Sequence, residues 1–212
     1  MSKGRFITLE GGEGAGKSTQ VRLLKKALEE SKVEVIITRE PGGSTGAEEI
    51  RELLVTGEPG RWDGMSEALL NFAARRDHLV KMVWPALERG AWVISDRFAD
   101  STIAYQGYGH GLDLDALYQL WDVAIDGFRP DLTFVLDLPV ETGLKRAIGR
   151  GDGEDRYERM ATEFHHKLKN GFLEVAAKEP KRCAVINADR SIEDIQADMQ
   201  NIVATRLGLT LS

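Results

Sequence analysis

The segment Gly11–Ser18 constrains the fold of this 212-residue chain more than any other feature. It reads GGEGAGKS and matches the pattern G-x-x-x-x-G-K-[ST], with Thr19 directly after it. An apolar stretch at residues 5–10 precedes it, and residues 19–31 follow with apolar positions at helical spacing. A glycine-rich loop between a strand and a helix turns backbone N–H groups towards one anion, and the helix N-terminus adds partial positive charge. The pattern therefore predicts a nucleoside-triphosphate site.

Several polar side chains belong with this phosphate loop. Lys17 is placed to reach the β- and γ-phosphates of a nucleotide, and the Ser18 hydroxyl can bind Mg²⁺. Asp96 follows another apolar stretch, residues 92–95. Because ligands in parallel sheets bind beyond the carboxyl ends of the strands, we expect Asp96 to face the same Mg²⁺ directly or through water. Arg97 adds a cation there, and a surface ion pair after the strand is the alternative interpretation.

Short apolar stretches alternate with longer helical patterns along the whole chain. Besides residues 5–10 and 92–95, these stretches are residues 33–38, 132–137 and 183–187. Strands that alternate with helices of about ten or more residues imply a parallel sheet covered on both faces. We therefore predict an α/β, doubly wound fold, with residues 1–212 forming a single domain.

Some helix boundaries can also be predicted. Ser66 is expected to cap the longest helix, Pro85 to kink or offset its last turn, and Gly90 to end it. The final helix is expected to begin at Ser191, with Asp194 three positions further on in an arrangement like a capping box.

The composition excludes several classes of protein. Hydrophobic residues make up 42% and charged residues 29% of the chain, which is ordinary for a globular protein with a core and excludes a disordered tail. The net charge of −6 argues against a nucleic-acid surface, and the single cysteine cannot form an internal disulfide. No apolar run approaches the roughly 18–20 residues of a membrane span, and no signal peptide is evident. We expect a cytoplasmic protein that binds neither membranes nor nucleic acid.

A phosphate loop does not distinguish a GTPase, a motor ATPase and a kinase, so other polar clusters must. The chain has no Asn/Thr-Lys-x-Asp segment of the kind that reads guanine in GTPases. A second phosphorylated ligand would explain these clusters: Arg51 can bind a monophosphate bidentately. Phe72 and a following arginine, Arg75 or Arg76, can stack a base and bond its edge from one helix face. Phe72 in the core with solvated arginines is an equal alternative.

A basic segment interrupted by glycines, about residues 146–158, predicts a mobile lid. Its glycines lie within residues 149–153. Phosphoryl transfer requires exclusion of water and stabilisation of charge on the transferring group, which a closing lid with arginines supplies. The phosphate loop has no arginine of its own, so Arg150 and Arg156, with Arg146 as a further candidate, are the expected transition-state cations. An exposed helix–loop–helix with ordinary charges is the alternative.

In order along the chain, these motifs resemble those of the bacterial thymidylate kinase family over nearly the whole length. The matching segments are LEGGEGAGKST at 9–19, TREPGG at 38–43, FAAR at 72–75, DRF at 96–98, Ser101 with AYQG at 104–107, RPDL at 129–132 and DRYE at 155–158. The resemblance implies phosphorylation of dTMP to dTDP with ATP and Mg²⁺, in a homodimer whose sheet has five parallel strands in the order 2-3-1-4-5.

The resemblance also assigns side chains to each substrate. For ATP, the implied residues are Gly11, Gly12, Glu13, Gly14, Ala15, Gly16, Lys17, Ser18 and Thr19, with Ser18 and Asp96 towards Mg²⁺. For dTMP, they are Arg51 and Arg97 at the phosphate, Phe72, Arg75, Ser101 and Gln106 at the base, and Glu13 and Tyr105 at the sugar. The implied catalytic residues are Lys17, Arg97, Arg150 and Arg156.

One position departs from the family's pattern, and two other functions stay open. Some relatives have the stacking Phe four residues before the arginine, where this chain has Asn71. Either Phe72 works with Arg75, or Arg76 reads the base. The alternatives to a dTMP kinase are a P-loop kinase for another nucleoside monophosphate and a nucleotide-dependent switch.

Overall fold

The computed structural model describes residues 4–147 and 156–211. Within them, all pairings between neighbouring strands are parallel, and the sheet order is β2-β3-β1-β4-β5. The strands are β1 Phe6–Glu10, β2 Val35–Arg39, β3 Trp92–Asp96, β4 Leu132–Asp137 and β5 Cys183–Asn187. The predicted α/β fold and the predicted strand order are confirmed.

Helices cover both faces of this sheet. They are α1 Lys17–Glu30, α2 Thr45–Val55, α3 Gly64–His78, α4 Trp84–Glu88, α5 Ala99–Thr102, α6 Leu114–Ile125, α7 Val140–Ala147, α8 Thr162–Lys178 and α9 Ile192–Leu207. Side chains alternate along β1, because successive residues of a strand point to opposite faces. Ile7 and Leu9 pack with apolar residues of α1 and α9, whereas Phe6 packs with those of α3, α4 and α6.

The register of the sheet brings three loops to one edge. Asp96, at the end of β3, pairs with Leu9 of β1 and with Arg39 of β2. Glu10 of β1 pairs with Val135 of β4. Because the strands are parallel and end at similar levels, the loops that follow β1, β2 and β3 meet at their carboxyl ends.

The helix that supplies one wall of this edge differs from prediction at its start. Asp63, not Ser66, is the N-cap of α3: its carboxylate accepts hydrogen bonds from the backbone N–H groups of Met65 and Ser66, both at 2.9 Å. The predicted Ser66 cap is therefore wrong, because Asp63 is the acceptor placed before the first turn. The Ser191 cap is confirmed, since its hydroxyl accepts from the Asp194 N–H.

The end of the same long helix follows the prediction more closely. A π-helical segment, Leu79–Val83, continues α3 and leads into α4, where Pro85 lies in the first turn. Proline lacks the N–H that a helix interior needs, and the offset falls directly before it. Gly90 has φ of 92° after α4, as a helix-ending glycine does. No helix among the described residues has the length and apolarity to cross a membrane.

Candidate active site

The phosphate loop joins β1 to α1 and takes its shape from glycines with positive φ. Gly11, Gly14 and Gly16 have φ of 132°, 66° and 91°. At Gly14, a Cβ atom would lie 2.1 Å from the carbonyl oxygen of Gly143, so a larger residue would require backbone movement. α1 begins at Lys17, and the N-terminus of a helix offers backbone N–H groups and partial positive charge to an anion. The backbone has the geometry of an anion-binding loop.

Lys17 lies folded back on this loop. Its Nζ donates hydrogen bonds to the carbonyl oxygens of Gly11, at 3.2 Å, and Gly12, at 3.0 Å. Burial lowers the pKa of Lys17, and Arg97 lowers it further, to about 8. Because a nearby anion favours the protonated amine, a phosphate bound in the loop would keep Lys17 charged.

Ser18 and Asp96 form the oxygen-rich side of the loop. The Ser18 hydroxyl donates to Asp96 Oδ2 at 2.8 Å. Hydroxyl and carboxylate oxygens are the ligands that Mg²⁺ prefers, and Mg²⁺ typically takes few protein ligands beside phosphates and waters. This pair therefore fits a Mg²⁺ ion held at the edge of the phosphate loop.

Arg97 and Glu13 form an ion pair at the mouth of the site. One Arg97 nitrogen donates to Glu13 Oε1 at 2.8 Å, and the other donates to the Gly11 carbonyl at 3.0 Å. The Tyr105 hydroxyl donates to the same Glu13 oxygen. Burial alone would raise the pKa of Glu13, but Arg97, Lys17 and the Tyr105 hydroxyl together lower it to about 2. Glu13 is therefore ionised and holds Arg97 beside the loop.

Two adjoining cavities open at this edge, which we name the outer cleft and the inner cavity. The outer cleft has about 790 Å³ of open space, and the residues that line it alone are Gly16, Lys17, Ser18, Arg39 and Asp96. The inner cavity has about 680 Å³ of open space, and the residues that line it alone are Pro41, Val55, Asn71, Arg75, Phe98, Ser101, Tyr105, Gln106 and Tyr157. Both are lined by Glu13, Glu40, Arg51, Arg97 and Glu158. Ligands in the two cavities would thus meet beside Arg51 and Arg97.

A buried polar network fixes Arg75 in the wall of the inner cavity. Arg75 Nε donates to Glu40 Oε2 at 2.6 Å, and its terminal nitrogens donate to the Thr102 hydroxyl and the Phe98 carbonyl. His78 Nδ1 lies 2.9 Å from the other Glu40 oxygen. Sequence reasoning missed Glu40 and His78. The available signals were an acid inside the motif at 38–43 and a histidine one helical turn after Arg75.

Glu67 is a second buried carboxylate that sequence reasoning missed. Its oxygens accept hydrogen bonds from Gln106 Nε2 at 2.8 Å, from the Tyr157 hydroxyl at 3.2 Å, and from the Arg156 guanidinium. Burial would raise the pKa of Glu67, but hydrogen bonds from His110, Arg156 and Gln106 lower it below its ordinary value. The sequence offers no sign of this cluster, because its members come from distant segments.

The structure does not bring every predicted base-site residue to the cavity. Phe72 is buried beneath Arg75, whose guanidinium carbon lies 4.8 Å from the ring centroid, and it is not part of the cavity lining. Phe72 therefore lies in the core, whereas the sequence predicted that it stacks on a base. Arg76 is half-exposed and donates to Asp126 at 2.5 Å, away from the cavity. Of the two arginines, Arg75 is the one that lines the inner cavity.

The structure describes only part of the predicted lid. Arg156 is buried, and its guanidinium donates to the carbonyls of Leu54, at 2.8 Å, and Glu58, at 3.3 Å, as well as to Glu67. These contacts hold it against the end of α2 and the start of α3, whereas the sequence predicted a transition-state cation. Arg150 and the central part of the predicted lid, residues 148–155, lie outside the described residues.

The fold and the two cavities together define a class of protein. A phosphate loop at the carboxyl edge of a parallel sheet, joined through arginines to a second cavity, is the arrangement of a P-loop kinase that acts on small phosphorylated acceptors. The family model for thymidylate kinase matches residues 9–199 of the chain. The chain therefore belongs to the thymidylate kinase family, and the resemblance found in its motifs is confirmed.

Curated relatives and a solved structure agree with this family assignment. The thymidylate kinase of Caulobacter vibrioides is 51% identical over 209 residues, covering 99% of this chain and 100% of the relative. That of Rhodopseudomonas palustris strain TIE-1 is 50% identical over 97% of this chain and 90% of the relative. The crystal structure of thymidylate kinase from Ehrlichia chaffeensis has a TM-score of 0.78 at 37% identity, covering 95% of this chain and 100% of that one.

Proposed function

We propose that the chain transfers the γ-phosphoryl group of ATP to dTMP, forming dTDP and ADP with Mg²⁺ as cofactor. The observation that carries this proposal is the continuity of the outer cleft and the inner cavity at Arg51 and Arg97. A triphosphate in the phosphate loop and a monophosphate in the inner cavity would meet there. A nucleotide-dependent switch needs no acceptor site, so a second cavity with arginines in its lining favours a kinase.

The outer cleft binds the donor in this proposal. Backbone N–H groups of the phosphate loop and Lys17 hold the β- and γ-phosphates, with the loop residues Gly11, Gly12, Glu13, Gly14, Ala15, Gly16, Ser18 and Thr19 around them. Ser18 and Asp96 hold the Mg²⁺ ion, whose chemistry when bound is to neutralise charge on the phosphate oxygens.

The inner cavity binds the acceptor. Arg51 and Arg97 hold the dTMP phosphate, because guanidinium groups bond phosphate oxygens bidentately. Arg75, Ser101 and Gln106 contact the base, and Glu13 with Tyr105 lies against the sugar. Phe72 acts indirectly here, since it supports the Arg75 guanidinium from below.

The reaction needs positioning and charge neutralisation more than acid–base chemistry. An oxygen of the dTMP phosphate forms a bond to the γ-phosphorus as the bond from that phosphorus to the β,γ-bridging oxygen breaks, and ADP leaves with that electron pair. The attacking oxygen already carries negative charge, so no side-chain base is required. Lys17 and Arg97 stabilise the charge of the transferring group, with Arg150 of the lid as a further cation. Arg156, near the end of this segment, anchors it to α2 and α3.

The remaining expectations belong to the same proposal. We propose one domain over residues 1–212 with a lid at about 146–158, a homodimer, and a cytoplasmic location. Family membership supports each of these.

An acceptor panel tests the reaction and the acceptor together. ADP release with Mg-ATP should depend strongly on dTMP, less on dUMP, and only weakly on dCMP, dGMP, UMP and GMP. Preference for another monophosphate would contradict the proposed base contacts while keeping the donor site. ATP turnover that ignores every acceptor would overturn the proposed kinase activity and favour a switch.

A further inference from the structure

The amide of Gln106 has one of its two ends fixed by a carboxylate. Gln106 lies in the π-helical segment Ile103–Gly109, is 1% exposed, and lines the inner cavity. Its Nε2 donates to Glu67 Oε2 at 2.8 Å. An ionised carboxylate can only accept hydrogen bonds, so the NH₂ end must face Glu67. The carbonyl oxygen, Oε1, is then the end that remains for a ligand in the cavity.

Glu67 is itself held in place and kept ionised. It is fully buried on α3, and Arg156 bonds both to it and to the carbonyl of Leu54 at the end of α2. The Tyr157 hydroxyl donates to the same Glu67 oxygen that Gln106 uses. A buried carboxylate with these partners has its pKa lowered, as described above, so near neutral pH it presents only lone pairs to Gln106.

We propose that Glu67 is a positioning residue that sets the base preference of the inner cavity by fixing the orientation of the Gln106 amide. This inference rests on the proposed function. A carbonyl oxygen facing the base accepts a hydrogen bond from the N3–H of thymine or uracil. The same oxygen opposes the N3 lone pair of cytosine, and a site that hydrogen-bonds one ligand rejects an analogue that leaves its polar groups unpaired. Glu67 thus selects pyrimidines that carry a proton at N3, without touching them.

The same carboxylate also contacts residues 156 and 157, so it connects base selection to this part of the chain. Arg156 and Tyr157 directly follow the undescribed segment 148–155, and Tyr157 also lines the inner cavity. The Tyr157 ring packs edge-on against Tyr105, with ring centroids 5.2 Å apart. Glu67 therefore bonds two residues that line the cavity, Tyr157 and Gln106, through the same oxygen.

The variant Glu67→Gln tests the proposal because it keeps the shape and removes the acceptor-only character. A glutamine at this position can donate as well as accept, so Gln106 can turn its NH₂ end into the cavity. The ratio of kcat/KM for dTMP over dCMP should fall at least tenfold from its wild-type value. The variant Glu67→Asp keeps a carboxylate and should retain that ratio while KM for dTMP rises. Glu88→Gln, an exposed exchange on α4, is the matched control and should leave the ratio unchanged.

A role in packing alone predicts a different outcome. It would weaken dTMP and dCMP alike in Glu67→Gln and leave their ratio unchanged, which would overturn the proposal. Arg156→Met removes one of the partners that hold Glu67 and keep it ionised, so it should lower stability and lower the ratio by less than Glu67→Gln does. A ratio that falls further in Arg156→Met than in Glu67→Gln would overturn the proposal by assigning base preference to Arg156. If Glu67→Gln does not fold in a thermal melt, Glu67→Asp still tests the proposal, because loss of the ratio in this carboxylate variant would overturn it.

The proposed function and this inference fail in separate ways. If the wild-type protein does not prefer dTMP, the proposed function is wrong before any variant is made. If it does, calorimetric titration of dTMP and dCMP without ATP measures base preference independently of phosphoryl transfer. Glu67→Gln should lower the ratio of the Kd for dCMP to the Kd for dTMP by the same factor as it lowers the kinetic ratio. An unchanged ratio of these Kd values would contradict the role of Glu67 but not the proposed function.

Discussion

The outer cleft and the inner cavity are built in opposite ways. The phosphate loop at the outer cleft is one continuous stretch, residues 11–18, in which glycine backbone geometry and a helix N-terminus form the anion site. The inner cavity takes its polar groups from α2, α3, the π-helical segment 103–109 and residues 157–158, and buried ion pairs hold this wall together. Backbone geometry suits a phosphate chain common to many nucleotides, whereas selecting one acceptor requires side chains fixed from several directions.

The largest effect that this comparison predicts is at Lys17. Lys17→Ala should lower kcat by about three orders of magnitude or more, because the ammonium neutralises charge on the transferring phosphoryl group. The inner cavity has its own supports, so the calorimetric Kd for dTMP should change by less than about threefold. Rapid-quench kinetics measures kcat, and calorimetric titration measures the Kd for dTMP.

A lysine on the outer face of the same helix provides the control. Lys26→Ala removes an exposed side chain of α1 and should leave both kcat and the Kd for dTMP unchanged. Near-normal turnover in folded Lys17→Ala would contradict the assigned role. A large loss of dTMP affinity would instead show that the two cavities are less independent than their construction implies.

Arg75 and Arg76 form a matched pair for the inner cavity. Arg75→Ala leaves Glu40 buried without its strongest partner, so the free energy of unfolding should fall by about 3–5 kcal/mol. The kcat/KM for dTMP should fall by roughly 100-fold, from loss of a charged hydrogen bond to the base edge. Arg76→Ala removes a surface ion pair and should cost less than about 1 kcal/mol. Denaturant unfolding and steady-state kinetics compare the two variants directly.

The reverse ranking would contradict the comparison. If Arg76→Ala impaired dTMP turnover more than Arg75→Ala, the base would be read from a surface that the structure places away from the cavity. Loss of stability in Arg75→Ala with unchanged kcat/KM would keep the network but remove Arg75 from the acceptor site.

The same comparison explains how much could be predicted from the sequence. Strand order followed from motif resemblance, and the phosphate loop followed from a contiguous pattern whose chemistry is local. Glu40 and Arg75 are 35 positions apart, and Glu67 and Arg156 are 89 positions apart, so only the folded chain reveals these pairs. The burial of Phe72 was equally hidden, because an aromatic residue near an arginine fits both a core and a binding face.

The smallest predicted effect concerns the start of α3, the helix that carries both Glu67 and Arg75. The Asp63 carboxylate accepts from two backbone N–H groups and also from the Ser66 hydroxyl. Asp63→Ala should therefore lower Tm by about 2–4 °C, as loss of an N-cap does in a domain of this size.

Ser66 gives the matched exchange, since its hydroxyl bonds Asp63 and no backbone group is left without a partner by its loss. Ser66→Ala should lower Tm by less than Asp63→Ala, and scanning calorimetry at neutral pH measures both. Arg75 is fixed by Glu40 and Thr102 far from the cap, so the KM for dTMP should stay unchanged in both variants. A raised KM in Asp63→Ala would mean that the first turn of α3 also positions Glu67. The inner cavity would then depend on a local capping signal as well as on its buried ion pairs.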